Sequence, residues 1–290
     1  MKPQDIENIE LQYLTLDDYQ ELKGAMQEAY KSMPNLYWRE HQIKTLIDKF
    51  PEGQVVIKIN NQIAGCALSI IVDYDSIDDI HTYEDITGNY TFNTHDADKG
   101  DALYGIDVFI KPEFRGLRLG RRLYDYRKEL CEKLNLRGIA FGGRIPNFHK
   151  YSKEMSPKEY IDKVRRKEIH DPVLNFQISN DFHPVRILKG YLEGDNASGE
   201  YAVLLEWDNI YYEKPSKKAA TKKKIVRLGL IQWQMRLKPF VNWQSTQNPS
   251  FKNFQGLPLP ITSISLHEVC QRLKTICCIM LGTYAKGMVP

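Results

Sequence analysis

The chain has 290 residues, of which 42% are hydrophobic and 27% charged, a composition typical of a globular protein that buries its own core. We expect no secretory signal from its polar start, and no apolar run is long enough to span a bilayer. The formal net charge of +3 conceals two regions. Up to Glu213 there are 27 Lys and Arg against 36 Asp and Glu, a balance of −9. The remainder has 13 against the single Glu268, a balance of +12.

Cysteine and histidine positions bear on compartment and metal binding. The cysteines, at positions 66, 131, 270, 277 and 278, lack the spacing of a disulfide framework or a zinc site. The histidines at positions 81, 95, 149 and 170 also lack metal-ligand spacing. We therefore predict a cytoplasmic protein, without a membrane anchor and without a metal.

Hydrophobic periodicity over the first 72 residues predicts a strand, two helices and a hairpin. The predicted strand and helices are Ile9–Leu14, Leu16 to about Lys31, and residues 36–49. Thr15 is placed to cap the first helix. The predicted hairpin strands are residues 54–59 and 63–72, joined by Asn60-Asn61.

Residues 73–101, here called the acidic segment, are rich in Asp, Thr, Asn and Gly, with four aromatic residues interspersed. A segment of this length is too long for a routine turn, and long loops often bind ligands or act as lids. A solvated acidic excursion is the alternative, and the residues favour neither interpretation.

The following residues predict the rest of a central sheet. The predicted strands are residues 102–110, 138–145, 185–192 and 201–207, and the predicted helices are residues 121–134 and 157–169. Asp171-Pro172 is predicted to break the second helix. The order β-α-α-β-β-β-α-β-α-β-β is typical of a mixed α/β domain with one sheet flanked by helices.

A basic stretch, residues 214–225, separates this domain from the rest of the chain. It contains lysines and small residues with nothing to bury, which indicates an exposed linker. A nucleic-acid-binding patch is the alternative, but a lysine run without aromatic residues is usually solvated. We predict no nucleic-acid partner.

The densest chemical signal runs from Gly105 to Leu123, where a strand, a bend at Pro112, a glycine-containing loop and a helix follow one another. A helix N-terminus presents unpaired N–H groups and a positive dipole end, so it attracts anions. Gly116 and Gly120 allow close approach of a phosphate, and arginines at 115, 118, 121 and 122 surround it. We call residues 111–120 the arginine loop and expect a pyrophosphate-bearing cofactor. No Rossmann or Walker pattern is present.

This segment resembles motif A of the GNAT superfamily of N-acetyltransferases. Ile110-Lys111-Pro112 matches its Val/Ile-x-Pro element, and Arg115 and Gly120 match the ends of its Arg/Gln-x-x-Gly-x-Gly/Ala element. Arg118 departs from the pattern because it stands at the usual middle glycine. Its side chain either clashes with phosphate or clamps it, and we favour the clamp.

The resemblance extends over residues 7–213, so we predict a GNAT-like domain over residues 1–213. It implies a GNAT-like mixed central sheet that binds acetyl-CoA or another acyl-CoA. The implied cofactor-binding residues are Val108, Phe109, Ile110, Arg115, Gly116, Leu117, Arg118, Leu119, Gly120 and Arg121. In the family, N–H groups of the strand before motif A bind the pantetheine arm and polarise the thioester carbonyl.

The resemblance also implies direct attack of a primary amine on the acyl-CoA thioester, which needs a base and an acid. Asp107 is the predicted base, because a carboxylate in an apolar strand gains a raised pKa on burial. Pairing with an arginine or exposure to solvent is the alternative, and Asp101 is a second candidate. Tyr151 is the predicted acid for the departing thiolate, with Tyr160 as the alternative; packing is the common role of any one tyrosine.

The predicted function is therefore N-acyl transfer from CoA to a small-molecule or peptide amine. The charge of the acidic segment hints at a cationic acceptor. A non-catalytic, CoA-binding regulatory module is the alternative.

The residues after the linker resemble part of a second family. Residues 225–236 are similar to the first strand of the carbon–nitrogen hydrolase (nitrilase) domain, and the first domain resembles those fused to such domains. Residues 226–290 are too few for that domain, and its Glu-Lys-Cys triad is not identifiable. Residues 237–290 show no sustained period and contain five prolines. We hypothesise that the reading frame is lost shortly after Arg236; a genuine tail that docks on the first domain is the alternative.

Overall fold

The computed structural model describes residues 6–31, 33, 35–77 and 80–214. The predicted linker beyond Lys214, the nitrilase-like strand and the hypothesis on residues 237–290 lie outside the described residues.

Seven strands in the described part of the chain form one mixed sheet. They are β1 (Ile9–Tyr13), β2 (Gln54–Ile59), β3 (Gln62–Val72), β4 (Ala102–Ile110), β5 (Gly138–Arg144), β6 (His183–Leu188) and β7 (Ala202–Asp208). The strand order is β1-β2-β3-β4-β5-β7-β6, and every neighbouring pair is antiparallel except β4 and β5. The predicted mixed α/β sheet is confirmed.

Helices cover both faces of this sheet. They are α1 (Tyr19–Ala29), α2 (Glu40–Lys49), α3 (Tyr83–Thr87), α4 (Leu119–Lys133), α5 (Pro157–Arg165) and α6 (Pro172–Ile178). Alternate residues of β2 point to opposite faces. Val56 belongs to the large core that α1 and α2 complete, whereas Val55 and Ile57 join Leu119 and Leu123 of α4 in a smaller cluster.

Several helix boundaries differ from the sequence prediction. The first helix begins as a 3₁₀ turn, Leu16–Asp18, and α2 begins at Glu40 rather than at residue 36. The acidic segment contains α3, which the prediction missed. Pro172 does not merely end a helix, because it is the first residue of α6. Asp171 caps α6 by accepting the N–H groups of its first turn, and proline is compatible with that position.

Two irregularities in β4 create an opening in the sheet. The register with β3 shifts between Leu68 and Ser69, so β4 carries a bulge. The parallel pairing of β4 with β5 ends at Tyr104 opposite Ala140, although both strands continue. We call this opening, between residues 105–110 of β4 and 141–144 of β5, the fork.

Candidate functional site

The β4 side of the fork presents backbone N–H groups that β3 does not use. Lys111 N–H donates to the carbonyl oxygen of Ala64 at 2.8 Å, which marks a hydrogen-bonded pair of the antiparallel ladder. Such pairs alternate with pairs whose N–H groups point away from the partner strand. Counting back through the register, Phe109 faces β3, whereas Val108 and Ile110 direct their N–H groups towards the fork. Phe109 instead contributes its ring, which contacts Tyr30 edge-on.

Asp107 lies at the same level of β4, and both of its carboxylate oxygens accept hydrogen bonds. Tyr30, just after α1, donates its hydroxyl to one oxygen, and Trp38 donates Nε1 to the other at 3.1 Å. Burial raises the pKa of Asp107, and these two hydrogen bonds offset part of that rise. The positive charge of Arg127 and the neighbouring N–H of Val108 act in the same lowering direction. The side chain is half-buried. A carboxylate in this environment is a stronger base than one in water.

The acidic segment places aromatic rings, rather than its charges, beside Asp107. Tyr83 and Tyr90 pack on Trp38 with ring centroids 6.0 and 5.9 Å away. The Tyr83 hydroxyl donates to the carbonyl oxygen of Ile106 at 2.7 Å. These contacts attach the segment to the bulged part of β4, so it forms one wall of the site.

Several carboxylates in the described part of this segment have structural partners. Asp85 accepts the N–H and hydroxyl of Thr82 and so caps α3. Asp96 accepts the N–H groups of the two residues that close its own turn. Asp101, the second candidate base, accepts from Arg137 at 3.3 Å and from a main-chain N–H at 3.0 Å. The geometry therefore favours Asp107 over Asp101.

The arginine loop follows β4 and ends at the first turn of α4. Gly116 has φ +87° and Arg118 has φ +58°, both in the left-handed region. Arg118 is the N-cap of α4 and makes no side-chain capping hydrogen bond, so the first N–H groups of the helix have no cap among the described residues. Arg115, Arg118 and Arg121 are exposed around this turn. The loop and the first turn of α4 thus combine free N–H groups with three exposed cations.

The apolar members of the loop anchor it. Leu119 is buried and Leu117 packs against the same small cluster. Gly120 lies against the ring of Phe176, because a Cβ there would come within 2.7 Å of that ring. Glycine at 120 is therefore required by packing between α4 and α6, in addition to any role at a phosphate.

The two candidate acids differ in environment. Tyr160 is fully buried and donates to Asp171 at 2.8 Å, and burial, reinforced by that carboxylate, raises its pKa. Tyr151 is half-buried and its ring contacts that of Tyr160 at 5.5 Å. Its hydroxyl has no hydrogen-bond partner in the part of the chain that the structure describes. Of the two, Tyr151 has the hydroxyl that is available to a ligand.

Sequence analysis missed three of the groups around Asp107. Tyr30 and Trp38 lie between α1 and α2, far from β4 in sequence and outside any recognisable motif. Only the folded structure brings them to β4. Arg144, at the end of β5, donates two hydrogen bonds to Asp195, at 2.6 and 2.5 Å. Burial alone would raise the pKa of Asp195, but the bonds from Arg144 outweigh it and hold that pKa below its usual value.

The described residues contain no group of three or more His, Cys, Asp or Glu arranged to hold a metal ion. Within the same ranges, none of the helices has the length and apolarity needed to cross a membrane.

Comparison with known proteins identifies the family. Residues 19–150 match the sequence profile of the Acetyltransferase (GNAT) family. A curated relative of Bacillus subtilis (strain 168), "Uncharacterized N-acetyltransferase YkwB", is 32% identical over 212 residues, which are 72% of this chain and 93% of the relative. The chain belongs to the GNAT family of acetyltransferases, whose fold is consistent with acyl transfer from CoA.

The chain is also similar to a longer curated relative and to two solved structures. "Probable hydrolase YhcX" of Bacillus subtilis (strain 168) is 41% identical over 200 residues, which are 69% of this chain but only 39% of that relative. The loading GNATL domain of CurA from Lyngbya majuscula has the same fold, with a TM-score of 0.61 and 22% identity, covering 70% of this chain and 98% of that domain. A GNAT-like decarboxylase, GphF, in complex with isobutyryl-CoA, has a TM-score of 0.57 and 17% identity over 69% of this chain and 98% of its own.

Proposed function

We propose that the chain is an acyl-CoA-dependent N-acyltransferase that acts on a primary amine. One observation carries the proposal. The short segment Asp107–Ile110 presents a carboxylate of raised pKa and two outward N–H groups beside the fork, and it leads directly into the arginine loop. The end of β4 thus supplies the groups that an acyl-transfer centre needs, and the loop that follows it supplies the groups that a phosphate site needs.

The cofactor is an acyl-CoA, acetyl-CoA being the first to test. The pyrophosphate binds the N–H groups at Gly116 to Arg121, with Arg115 and Arg118 as charged partners. The N–H groups of Val108 and Ile110 receive the pantetheine arm and the thioester carbonyl. GphF, which shares the fold, is described with isobutyryl-CoA, so longer acyl groups belong in the same test.

The reaction is a direct displacement. The ammonium of the acceptor gives a proton to the Asp107 carboxylate, and the neutral amine nitrogen attacks the thioester carbon. The N–H of Val108 stabilises the developing oxyanion. Collapse of the tetrahedral intermediate breaks the carbon–sulfur bond, and the thiolate of CoA takes a proton from the hydroxyl of Tyr151. The second proton of the attacking nitrogen leaves to restore that hydroxyl, and Asp107 releases the first proton to solvent. The products are an amide and CoA.

The acceptor is a small-molecule or peptide amine, and the protein acts in the cytoplasm. Three carboxylates of the acidic segment, Asp85, Asp96 and Asp101, have structural partners. Asp107 lies beside the fork, so it is the group that we expect to favour a cationic acceptor. The aromatic rings of Trp38, Tyr83 and Tyr90 shape the approach to it.

A second proposal concerns the whole gene product. The aligned region is 39% of a longer relative named as a probable hydrolase. Together with the nitrilase-like residues 225–236, this supports a GNAT domain, residues 1–213, followed by a linker and the start of a hydrolase domain. Because Tyr30 and Trp38 occupy both oxygens of Asp107, a CoA-binding regulatory role within such a fusion is the competing function.

Two assays separate enzyme from binding module. Calorimetric titration with acetyl-CoA tests the cofactor, and thiol release over a panel of mono-, di- and polyamines and peptide amines tests transfer. We expect binding together with amine-dependent thiol release. Binding without release for any amine would support the regulatory module, and no binding would contradict both roles.

The gene tests the fusion. We expect one of the other two forward frames, downstream of the Arg236 codon, to encode a hydrolase-like Glu, Lys and Cys. If neither frame remains open, the hypothesis of a lost frame is wrong.

A further inference from the structure

The mechanism above leaves one buried cation unused. Arg127, in the middle of α4, is only 2% exposed, and it forms no ion pair with a carboxylate among the described residues. Burying an unpaired charge is costly unless hydrogen bonds compensate for the lost water. The groups that accept hydrogen bonds from Arg127 therefore indicate its role.

The guanidinium of Arg127 bonds to both strands at the bulge. Nε donates to the hydroxyl of Ser69 at 3.0 Å, and Nη2 donates to the carbonyl oxygen of Leu68 at 2.7 Å. Nη2 also donates to the carbonyl oxygen of Asp107. These acceptors flank the position where the β3–β4 register shifts. The cation therefore fixes the bulge on both strands.

Gly105 makes room for this arrangement. A Cβ at Gly105 would lie 2.8 Å from Nη1 and 3.1 Å from Cζ of Arg127. The guanidinium thus lies directly against the β4 backbone, two residues before Asp107. The close approach lets a helix side chain reach strand carbonyl groups that would otherwise be covered.

The bond to Asp107 has a consequence for the next residue. The Asp107 carbonyl and the Val108 N–H belong to one planar trans peptide unit, in which the two groups point in opposite directions. A donor that fixes the carbonyl on the Arg127 side therefore fixes the N–H on the fork side. A charged hydrogen bond to the carbonyl also polarises the peptide, which makes its N–H a better donor.

We propose that Arg127 is a positioning residue that orients and polarises the Val108 N–H for the thioester carbonyl. The inference rests on the proposed function, because it assigns Arg127 a role at that same carbonyl. Arg127 acts only through the Asp107–Val108 peptide.

Infrared spectroscopy of bound acetyl-CoA tests this role without any acceptor amine. A hydrogen bond to a thioester carbonyl lowers its stretching frequency, and ¹³C labelling of that carbonyl separates its band from protein bands. We would compare the full-length wild-type protein with Arg127→Met, Arg127→Lys and Ser69→Ala. Leu130→Ala is the matched control, because Leu130 is a buried residue of the same helix and belongs to the hydrophobic core.

The expected result is graded. Wild type and Leu130→Ala lower the carbonyl frequency to the same extent, Arg127→Met abolishes most of the lowering, and the other two variants are intermediate. Lysine keeps the charge but cannot span three acceptors with a planar fork. With an amine from the panel, kcat falls roughly a hundredfold in Arg127→Met and roughly tenfold in Arg127→Lys, by comparison with loss of an oxyanion donor.

Two outcomes would overturn the inference. If Arg127→Lys and Ser69→Ala shift the carbonyl band as wild type does, Arg127 serves only stability; these milder variants decide the matter should Arg127→Met not fold. If Leu130→Ala loses the shift to the same extent, the effect reflects general loosening of α4. Failure of wild type to bind acetyl-CoA would instead reject the proposed function, and with it this role.

Discussion

The arginine loop and the fork meet at Ile110, yet they are built in opposite ways. The loop is a continuous stretch whose exposed arginines, left-handed turns and uncapped helix start all lie within ten residues. The β4 side of the fork depends on distant parts of the chain, namely the α1–α2 connection, β3, α4 and the acidic segment. These elements supply the residues that hydrogen-bond to β4 or to β3 at the bulge: Tyr30, Trp38, Ser69, Arg127 and Tyr83.

The difference separates binding from chemistry. A loop of local N–H groups and exposed cations recognises phosphate largely by charge, so single changes there should alter affinity. Beside the fork, neighbouring residues control the protonation of the Asp107 carboxylate and the orientation of the Val108 N–H. Single changes there should therefore alter turnover. Single substitutions at the two sites therefore test whether affinity and turnover separate.

Asp107→Asn should have the largest effect. If Asp107 takes the ammonium proton, kcat should fall by roughly 10²–10³ while the affinity for acetyl-CoA is nearly unchanged. In wild type, activity should decline as the pH falls through the pKa of Asp107, which burial raises. Steady-state kinetics from about pH 4, near the ordinary aspartate pKa, upwards would show this limb.

Asp101→Asn is the control for that experiment. Asp101 accepts from Arg137 and lies at the start of β4, so its loss should lower stability without removing the acid limb. An acid limb that persists in Asp107→Asn would place the base elsewhere.

Tyr151 and Tyr160, the two candidate general acids, should respond differently to removal of the hydroxyl. Tyr151→Phe should lower kcat by about tenfold or more, as expected for loss of a general acid, and leave stability nearly unchanged. Tyr160→Phe should leave kcat nearly unchanged but lower the free energy of unfolding by about 1–3 kcal/mol, because Asp171 loses a buried donor. Thermal unfolding and thiol release distinguish the two. Full activity in Tyr151→Phe would remove it from the mechanism.

Arg118→Gly tests the role of Arg118 in the arginine loop. Glycine adopts φ +58° without the side-chain clash, so the variant should be more stable by on the order of 0.5 kcal/mol. It also loses a cation, and affinity for CoA should fall about tenfold. Arg121→Ala, at an exposed helical position, provides the comparison for charge alone. Unchanged affinity in Arg118→Gly would mean that Arg118 does not clamp phosphate.

The smallest effect concerns the pH dependence of stability. Since the pKa of Asp107 is higher in the folded state than in the unfolded chain, the folded state binds the proton more tightly. Stability should therefore fall as the pH rises from the ordinary aspartate pKa of about 3.9 through the raised value. Asp107→Asn should lack this component in urea titrations across that window. An unaltered profile would show that Asp107 is not destabilised by burial.

The elements that depend on local sequence could be predicted, whereas those assembled from distant residues could not. The strands over 54–59 and 102–110, and the Asn60-Asn61 turn with both residues at positive φ, depend on local pattern and agree with the structure. Asp171-Pro172 predicts a helix break, but an aspartate followed by proline is also a typical helix start, and here it begins α6. The bulge, the fork and the partners of Asp107 depend on contacts up to 77 residues apart in sequence, which no local pattern encodes.

The central claim is that the loop binds acyl-CoA and the fork reacts with it. The most direct measurement is acetyl-CoA affinity and single-turnover transfer rate, determined side by side for Arg115→Ala and Asp107→Asn. The account predicts that Arg115→Ala loses affinity and keeps its rate at saturating acetyl-CoA, whereas Asp107→Asn keeps affinity and loses its rate. Equal losses of both quantities in both variants would contradict it.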